Sequence, residues 1–216
     1  MSARMVPLPY EKLEETTMRE RSEAIFKRHQ DRRSVRHFSR DPVPIDVVRR
    51  CIHAAAQAPS GAHKQPWTFC LVTDPALKSS IREAAEAEEQ AFYDHRAPDE
   101  WLDQLQPFGT DANKPFLEDA PALIVIFAHQ RAPDGSKNYY VQESVGIASG
   151  MLIAALHEAG LATLTHTPAP MRFLADLLKR PSNERAYLLL PVGYPAANCH
   201  VPAIERKSLD DVLVEY

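Results

Sequence analysis

The chain has 216 residues, 44% of them hydrophobic and 25% charged, with 18 Pro and 7 Gly, which excludes disordered, collagen-like and disulfide-scaffold classes and fits one globular domain over residues 1–216. Its 25 Lys plus Arg against 29 Asp plus Glu leave a formal charge of −4, so no overall field favours nucleic acid and any basic cluster that matters is local.

Residues 1–30 are charged throughout and lack the apolar core of a secretory signal, which predicts a cytoplasmic location; residues 1–20 read as an N-terminal extension. Within 10–30, Leu13, Thr17, Ala24 and Phe26 lie among many charges, as in a helix on a surface, and RRSVR at 32–36 ends it. Residues 45–58 carry Val47, Val48, Cys51, Ile52 and Ala55 at helical spacing and stop at Pro59, Ser60 and Gly61. A strand is predicted at 67–73 (WTFCLVT), then a helix over 76–95 capped by Asp74-Pro75.

Residues 97–114 (APDEWLDQLQPFGTDANK) are too irregular for a core element, and 86–118 as a whole reads as a lid. The apolar run 122–128 (ALIVIFA) falls far short of the roughly 20 residues a membrane span needs, so it predicts a buried strand at 123–127 and no membrane partner. Residues 139–161 contain no charge except Glu143 and Glu158 and include Gly146, Ser149 and Gly150, small residues that let backbones approach closely, which predicts a helix apolar all round and therefore buried, as a central or a dimer-interface helix. A short extended piece at 163–167 (TLTHT), a short helix at 171–178, a strand at 186–190 (AYLLL) and a tail over 201–216 complete the chain, and this alternation argues an α+β or α/β fold. Cys51, Cys70 and Cys199 are far apart, without a CxxC pair, which fits a reducing compartment.

No GxGxxG, GxxxxGK[ST] or HExxH is present, so neither a dinucleotide loop nor a catalytic metal is predicted. Four local features carry chemistry instead. Arg32, Arg33 and Arg36 around Ser34 match a phosphate monoester, or else a solvated basic helix end. The loop PSGAHKQPW at 59–67 offers backbone N–H groups, or is a plain turn. Thr165 and Thr167 fall on one side of an extended segment, with His166 turned the other way and read as structural. Glu89 and Tyr93 lie one helical turn apart, with Lys114 beyond the lid-like segment.

RRSVR, APSGAHKQPW, EEQAFYDHRAPDEWLDQLQPFGTDANKPFLEDAP, TLTHTPAPM, LLPVGYP and VPAIERKSLDDVLVE, in that order, resemble the flavin-dependent nitroreductase superfamily. The long lid motif narrows the resemblance to the iodotyrosine deiodinases. This resemblance implies an α+β nitroreductase-like fold, a central mixed sheet flanked by helices, in an intertwined homodimer with FMN at the interface. It assigns Arg32, Arg33, Ser34, Arg36 and Arg206 to the FMN, with Pro59, Ser60 and Gly61 lining the flavin and Thr165 and Thr167 near its ring. Thr167 would hydrogen-bond flavin N5 and favour one-electron chemistry, and the Ala62 N–H would hold the substrate phenolate, so these two are the catalytic candidates. Glu89 would take the substrate ammonium, and Lys114 and Tyr93 its carboxylate. The implied activity is reductive dehalogenation of halotyrosines with NADPH or a reductase partner as electron donor; the alternative is an NAD(P)H-dependent nitroreductase of nitroaromatics or quinones.

Overall fold

In the computed structural model, which describes residues 4–98, 100, 103 and 110–216, the apolar run ALIVIFA becomes the middle of a sheet. Strand β2 (Ala122–His129) pairs antiparallel with β1 (Trp67–Val72) on one side and β4 (Glu184–Gly193) on the other, and β3 (Ala162–Thr163) adds to β4, giving the order β1-β2-β4-β3. All named strands are antiparallel. Among the described residues, the mixed character predicted for the sheet survives as one parallel bridge, between Ser34 and Thr163. A register shift at Ile126/Phe127 bulges β4 opposite β2.

Because successive side chains of a strand point to opposite faces, β2 feeds two cores. Ile124 and Ile126 pack with Val48, Cys51 and Ala55 of α2 (Ile45–Ala55) and with Val145, Leu152 and Leu156 of a long helix, here α5 (Val141–Glu158). Leu123, Val125 and Phe127 face the other way, toward Ile81 and Ala85 of α3 (Pro75–His95), Phe116 and Leu117 of the one-turn α4 (Phe116–Asp119) and Leu174 of α6 (Arg172–Leu177). Burial on both faces explains why this strand shows no hydrophobic alternation. Asp74 caps α3 as its sequence suggests, its Oδ1 accepting from the Leu77 N–H at 2.8 Å.

One expectation changes. Helix α5 is not buried all round: Ile147 and Met151 are 46% and 37% exposed and Gly150 lies between them, so one stripe of an apolar helix stays uncovered. The chain forms two compact units that divide between Arg32 and Arg33. The first unit holds α1 (Glu15–Asp31), which starts inside the predicted extension and buries none of its residues. Of the lid over 86–118, residues 99, 101–102 and 104–109 lie outside the described residues.

One polar cluster is built into the sheet. Glu184, whose side chain is 4% exposed, accepts two hydrogen bonds from Arg180 at 2.7 Å and one from Thr68 Oγ1 at 3.1 Å, with His129 Nε2 3.3 Å away. Burial pushes the Glu184 pKa up, but Arg180, together with His129 and Thr68, outweighs it and holds the carboxyl below its usual value.

Candidate active site

After α1 the chain leaves Arg32 in extended conformation, with its N–H on the His29 carbonyl. Val35 and Phe38 are buried anchors, and the Val35 N–H bonds the Thr163 carbonyl at 3.1 Å, which clips the RRSVR segment onto the sheet edge. With Val35 turned inward, Ser34 and Arg36 fall on the other side and line a cavity of about 550 Å³. Arg33 does not line it; its guanidinium donates to the carbonyl of Pro202, a lining residue. The sequence pattern therefore yields two phosphate-type donors in the cavity wall and a third that ties down the C-terminal segment.

Residues of α3 and of the chain entering α4 also line the cavity. Glu89 and Tyr93 line it together, as their spacing predicts, and Lys114 closes it. Lys114 Nζ stands 3.3 Å from Glu89 Oε2 and 5.8 Å from the centre of the Tyr93 ring, and it also donates to the Asp111 carbonyl. The Lys114 and Glu89 side chains are only 7% and 14% exposed, so this is a nearly buried ion pair. The Tyr93 hydroxyl donates to Thr110 Oγ1 at 3.3 Å.

Thr165, His166 and Thr167 form the third wall. His166 exchanges two backbone hydrogen bonds with Leu189, at 2.9 and 3.0 Å, which sets the alternation: Thr165 and Thr167 are exposed and His166 is buried. The His166 ring meets Phe116 edge-on at 5.3 Å, and its Nε2 has no hydrogen-bond partner among the described residues. Burial, reinforced by the nearby Lys114 and Arg36 charges, lowers its pKa to about 3, so the ring stays neutral.

The loop after α2 stands apart. Pro59, Ser60, Gly61 and Ala62 do not line this cavity. Ala62, His63 and Gln65 have φ of 49°, 55° and 46°, a strained left-handed conformation for three side-chain-bearing residues in four positions. The strain is held by neighbours: the Gly61 N–H bonds Ser144 Oγ at 3.3 Å, and a Cβ on Gly61 would sit 2.9 Å from the Tyr140 ring. Ser60 Oγ accepts from the Gln65 N–H at 2.9 Å. The Ala62 N–H, by contrast, makes no hydrogen bond to a described residue. Arg206 is exposed in the tail and does not line the cavity.

The nitroreductase family model matches residues 30–194, and the chain is 53% identical to iodotyrosine deiodinase of Haliscomenobacter hydrossis over 98% of this chain and 97% of that protein. The chain belongs to the nitroreductase family, in its iodotyrosine deiodinase branch. It is also 44% identical to iodotyrosine deiodinase 1 of Mus musculus, over 99% of this chain and 76% of the mouse protein. A crystal structure of oxidized iodotyrosine deiodinase bound to FMN and 3-iodo-L-tyrosine matches with a TM-score of 0.76 at 35% identity, covering 89% of this chain and 98% of that one. A nitroreductase with bound FMN from Bacteroides fragilis shares the fold, with a TM-score of 0.67 at 21% identity over 88% and 98% of the two chains.

The site of this family member thus gathers Ser34, Arg36, Glu89, Tyr93, Lys114, Thr165 and Thr167 around one cavity and leaves Arg33, Pro59 to Ala62 and Arg206 outside its wall. Arg82, Glu86 and Asn113, to which no sequence motif gave a role, hold the backbone at Lys114. Arg82, Glu86 and Glu89 at helical spacing were the one signal in the sequence; their partners lie some thirty residues away, beyond the reach of local periodicity.

Proposed function

We propose that the protein is an FMN-dependent reductive dehalogenase of halotyrosines that releases tyrosine and halide. The observation that carries this reading is the nearly buried Glu89–Lys114 pair lining one cavity together with Ser34, Arg36, Thr165 and Thr167. The opposite charges of Glu89 and Lys114 suit the ammonium and carboxylate of an amino acid, and the guanidinium and hydroxyl donors suit a phosphate monoester. FMN fits that donor set, and when bound it supplies the two electrons that, with a proton, convert a carbon–halogen bond to carbon–hydrogen and halide.

The residues of this chain then bind and orient. Arg36 and Ser34 would hold the cofactor phosphate, and Thr167, beside Thr165 in the extended segment, would donate toward the flavin N5; Arg33 and Arg206, outside the cavity wall of this chain, and Arg32 are carried to the same cofactor by the family resemblance. Glu89 takes the substrate ammonium, and Lys114 with the Tyr93 hydroxyl takes the carboxylate. Enclosing the zwitterion among Glu89, Tyr93 and Lys114 would exclude water and strengthen each contact. The Ala62 N–H holds the phenolate oxygen, with Pro59, Ser60 and Gly61 against the flavin.

Because Ala62 does not line the cavity of its own chain, the reading has a second copy bring it there. A homodimer is further supported by the uncovered stripe of Ile147, Gly150 and Met151 on α5 and by the exposed Leu209, Val212 and Val214 of the tail. Free Cys51, Cys70 and Cys199 agree with a cytoplasmic setting, and no helix of the described residues is long and apolar enough to cross a membrane. The electron donor in this reading is NADPH or a reductase partner.

The test is an anaerobic titration of dithionite-reduced, flavin-loaded protein with 3-iodotyrosine, alongside the solution mass. Reoxidation of the flavin with one iodide and one tyrosine released per flavin, from a dimer, is expected. No reoxidation by iodotyrosine, with rapid NAD(P)H-driven reduction of nitroaromatics, overturns the reading in favour of a nitroreductase.

A further inference from the structure

Ser79, Arg82, Glu86 and Glu89 recur along α3 at intervals of three or four residues and so share one face of the helix. Each reaches the chain that returns from the lid. Ser79 Oγ donates to Glu118 Oε1 at 3.0 Å, and Arg82 Nη2 donates to Asn113 Oδ1 at 2.9 Å. Glu86 Oε1 accepts from the Lys114 N–H at 2.6 Å and from Arg82 Nε at 2.7 Å. Below them, Lys78 Nζ donates to the carbonyls of Glu118 and Ala120 at 2.8 and 2.7 Å.

Lys114 is therefore gripped twice by one helix face: its backbone by Glu86 and its ammonium by Glu89, one turn further on. Neither Arg82 nor Glu86 lines the cavity. Their side chains are 27% and 28% exposed, so their mutual ion pair is partly screened, but a backbone N–H on a carboxylate is a short, charge-assisted bond that fixes position. Releasing it frees the Lys114 main chain, and a cation that must meet a carboxylate within hydrogen-bond reach loses its aim after a shift of about an ångström.

We propose that Glu86, oriented by Arg82, is a positioning residue that sets Lys114 and so selects amino-acid ligands over plain phenols. The proposal rests on the halotyrosine reading of the cavity. It is tested on flavin-loaded protein by flavin-fluorescence titration with 3-iodotyrosine and 2-iodophenol in Glu86→Ala, Glu86→Gln and Arg82→Met.

Glu86→Ala is expected to weaken iodotyrosine about 10- to 100-fold, the worth of a lost charged hydrogen bond, while leaving iodophenol affinity and flavin content unchanged. Glu86→Gln keeps an oxygen for the Lys114 N–H and is expected to restore iodotyrosine binding to within about threefold, a neutral acceptor being only somewhat weaker. Arg82→Met is expected to fall between them. Equal weakening of both ligands by Glu86→Ala, an unchanged preference, or a Gln variant as impaired as Ala overturns the proposal. If Glu86→Ala does not fold, Arg82→Met decides alone, and an unchanged preference there overturns it. A wild-type protein that binds iodophenol as tightly as iodotyrosine refutes the halotyrosine reading itself, a result distinct from any variant outcome.

Discussion

The Glu89–Lys114 pair makes substrate choice a quantitative matter. At 3.3 Å and an effective dielectric near 20, the two charges attract by about 5 kcal/mol, and at 14% and 7% exposure little solvent is present to screen either one alone. A zwitterion inserts one charge opposite each partner and leaves neither group bare. Removing a partner strands the other, which costs about 2 to 4 kcal/mol by comparison with truncated buried pairs, or roughly 30- to 1000-fold in binding. Glu89→Gln and Lys114→Ala are each expected to weaken iodotyrosine by that amount in a flavin-fluorescence titration. Affinity for 2-iodophenol, which has neither charge, and flavin content are expected to stay at their wild-type values. The reasoning fails if wild type binds iodophenol as well as iodotyrosine, or if either variant weakens the two ligands alike.

Three further outcomes are expected. Thr167→Ala keeps flavin and iodotyrosine affinity but moves turnover from dehalogenation toward nitro reduction; a wild-type ratio of the two rates removes the hydroxyl from the mechanism. The His166 pKa of about 3, against an ordinary 6.5, means the unfolded chain binds the proton first, so stability falls as pH drops below 6.5. By pH 5 the loss is about 2 kcal/mol, and His166→Leu is expected to flatten that slope in thermal unfolding at fixed flavin concentration. Glu184, held below its usual 4.5, contributes stability that is present above that value and lost as pH falls below it. Glu184→Gln is expected to cost about 1 to 3 kcal/mol in urea unfolding at pH 7, because the charge-assisted bonds from Arg180 become neutral ones while Arg180, 27% exposed, keeps water, and to remove the acid slope below pH 4.5.

Local chemistry made much of this protein legible in its sequence. The run ALIVIFA, the Asp74 cap, the helix of Val48, Cys51 and Ala55 and the alternation of Thr165, His166 and Thr167 follow from periodicity and capping, which act within a few residues. The Arg–Arg–Ser–Val–Arg, Pro–Ser–Gly–Ala and lid motifs carried the family, since each keeps its side chains in register along the chain. Periodicity did not separate α5 from a buried helix: a stripe of Ile147, Gly150 and Met151 is as apolar as a core face, and only the neighbours present decide whether it is covered. Nor could it show that β2 lies between β1 and β4, that the sheet is antiparallel throughout its named strands, or that Pro59 to Ala62 leave the cavity that Ser34 and Lys114 share. Those facts are set by which distant segments meet. The 2.6 Å bond from the Lys114 N–H to Glu86, across 28 residues of chain, exists only because α3 and α4 pack on the same face of the sheet, and no local preference encodes it.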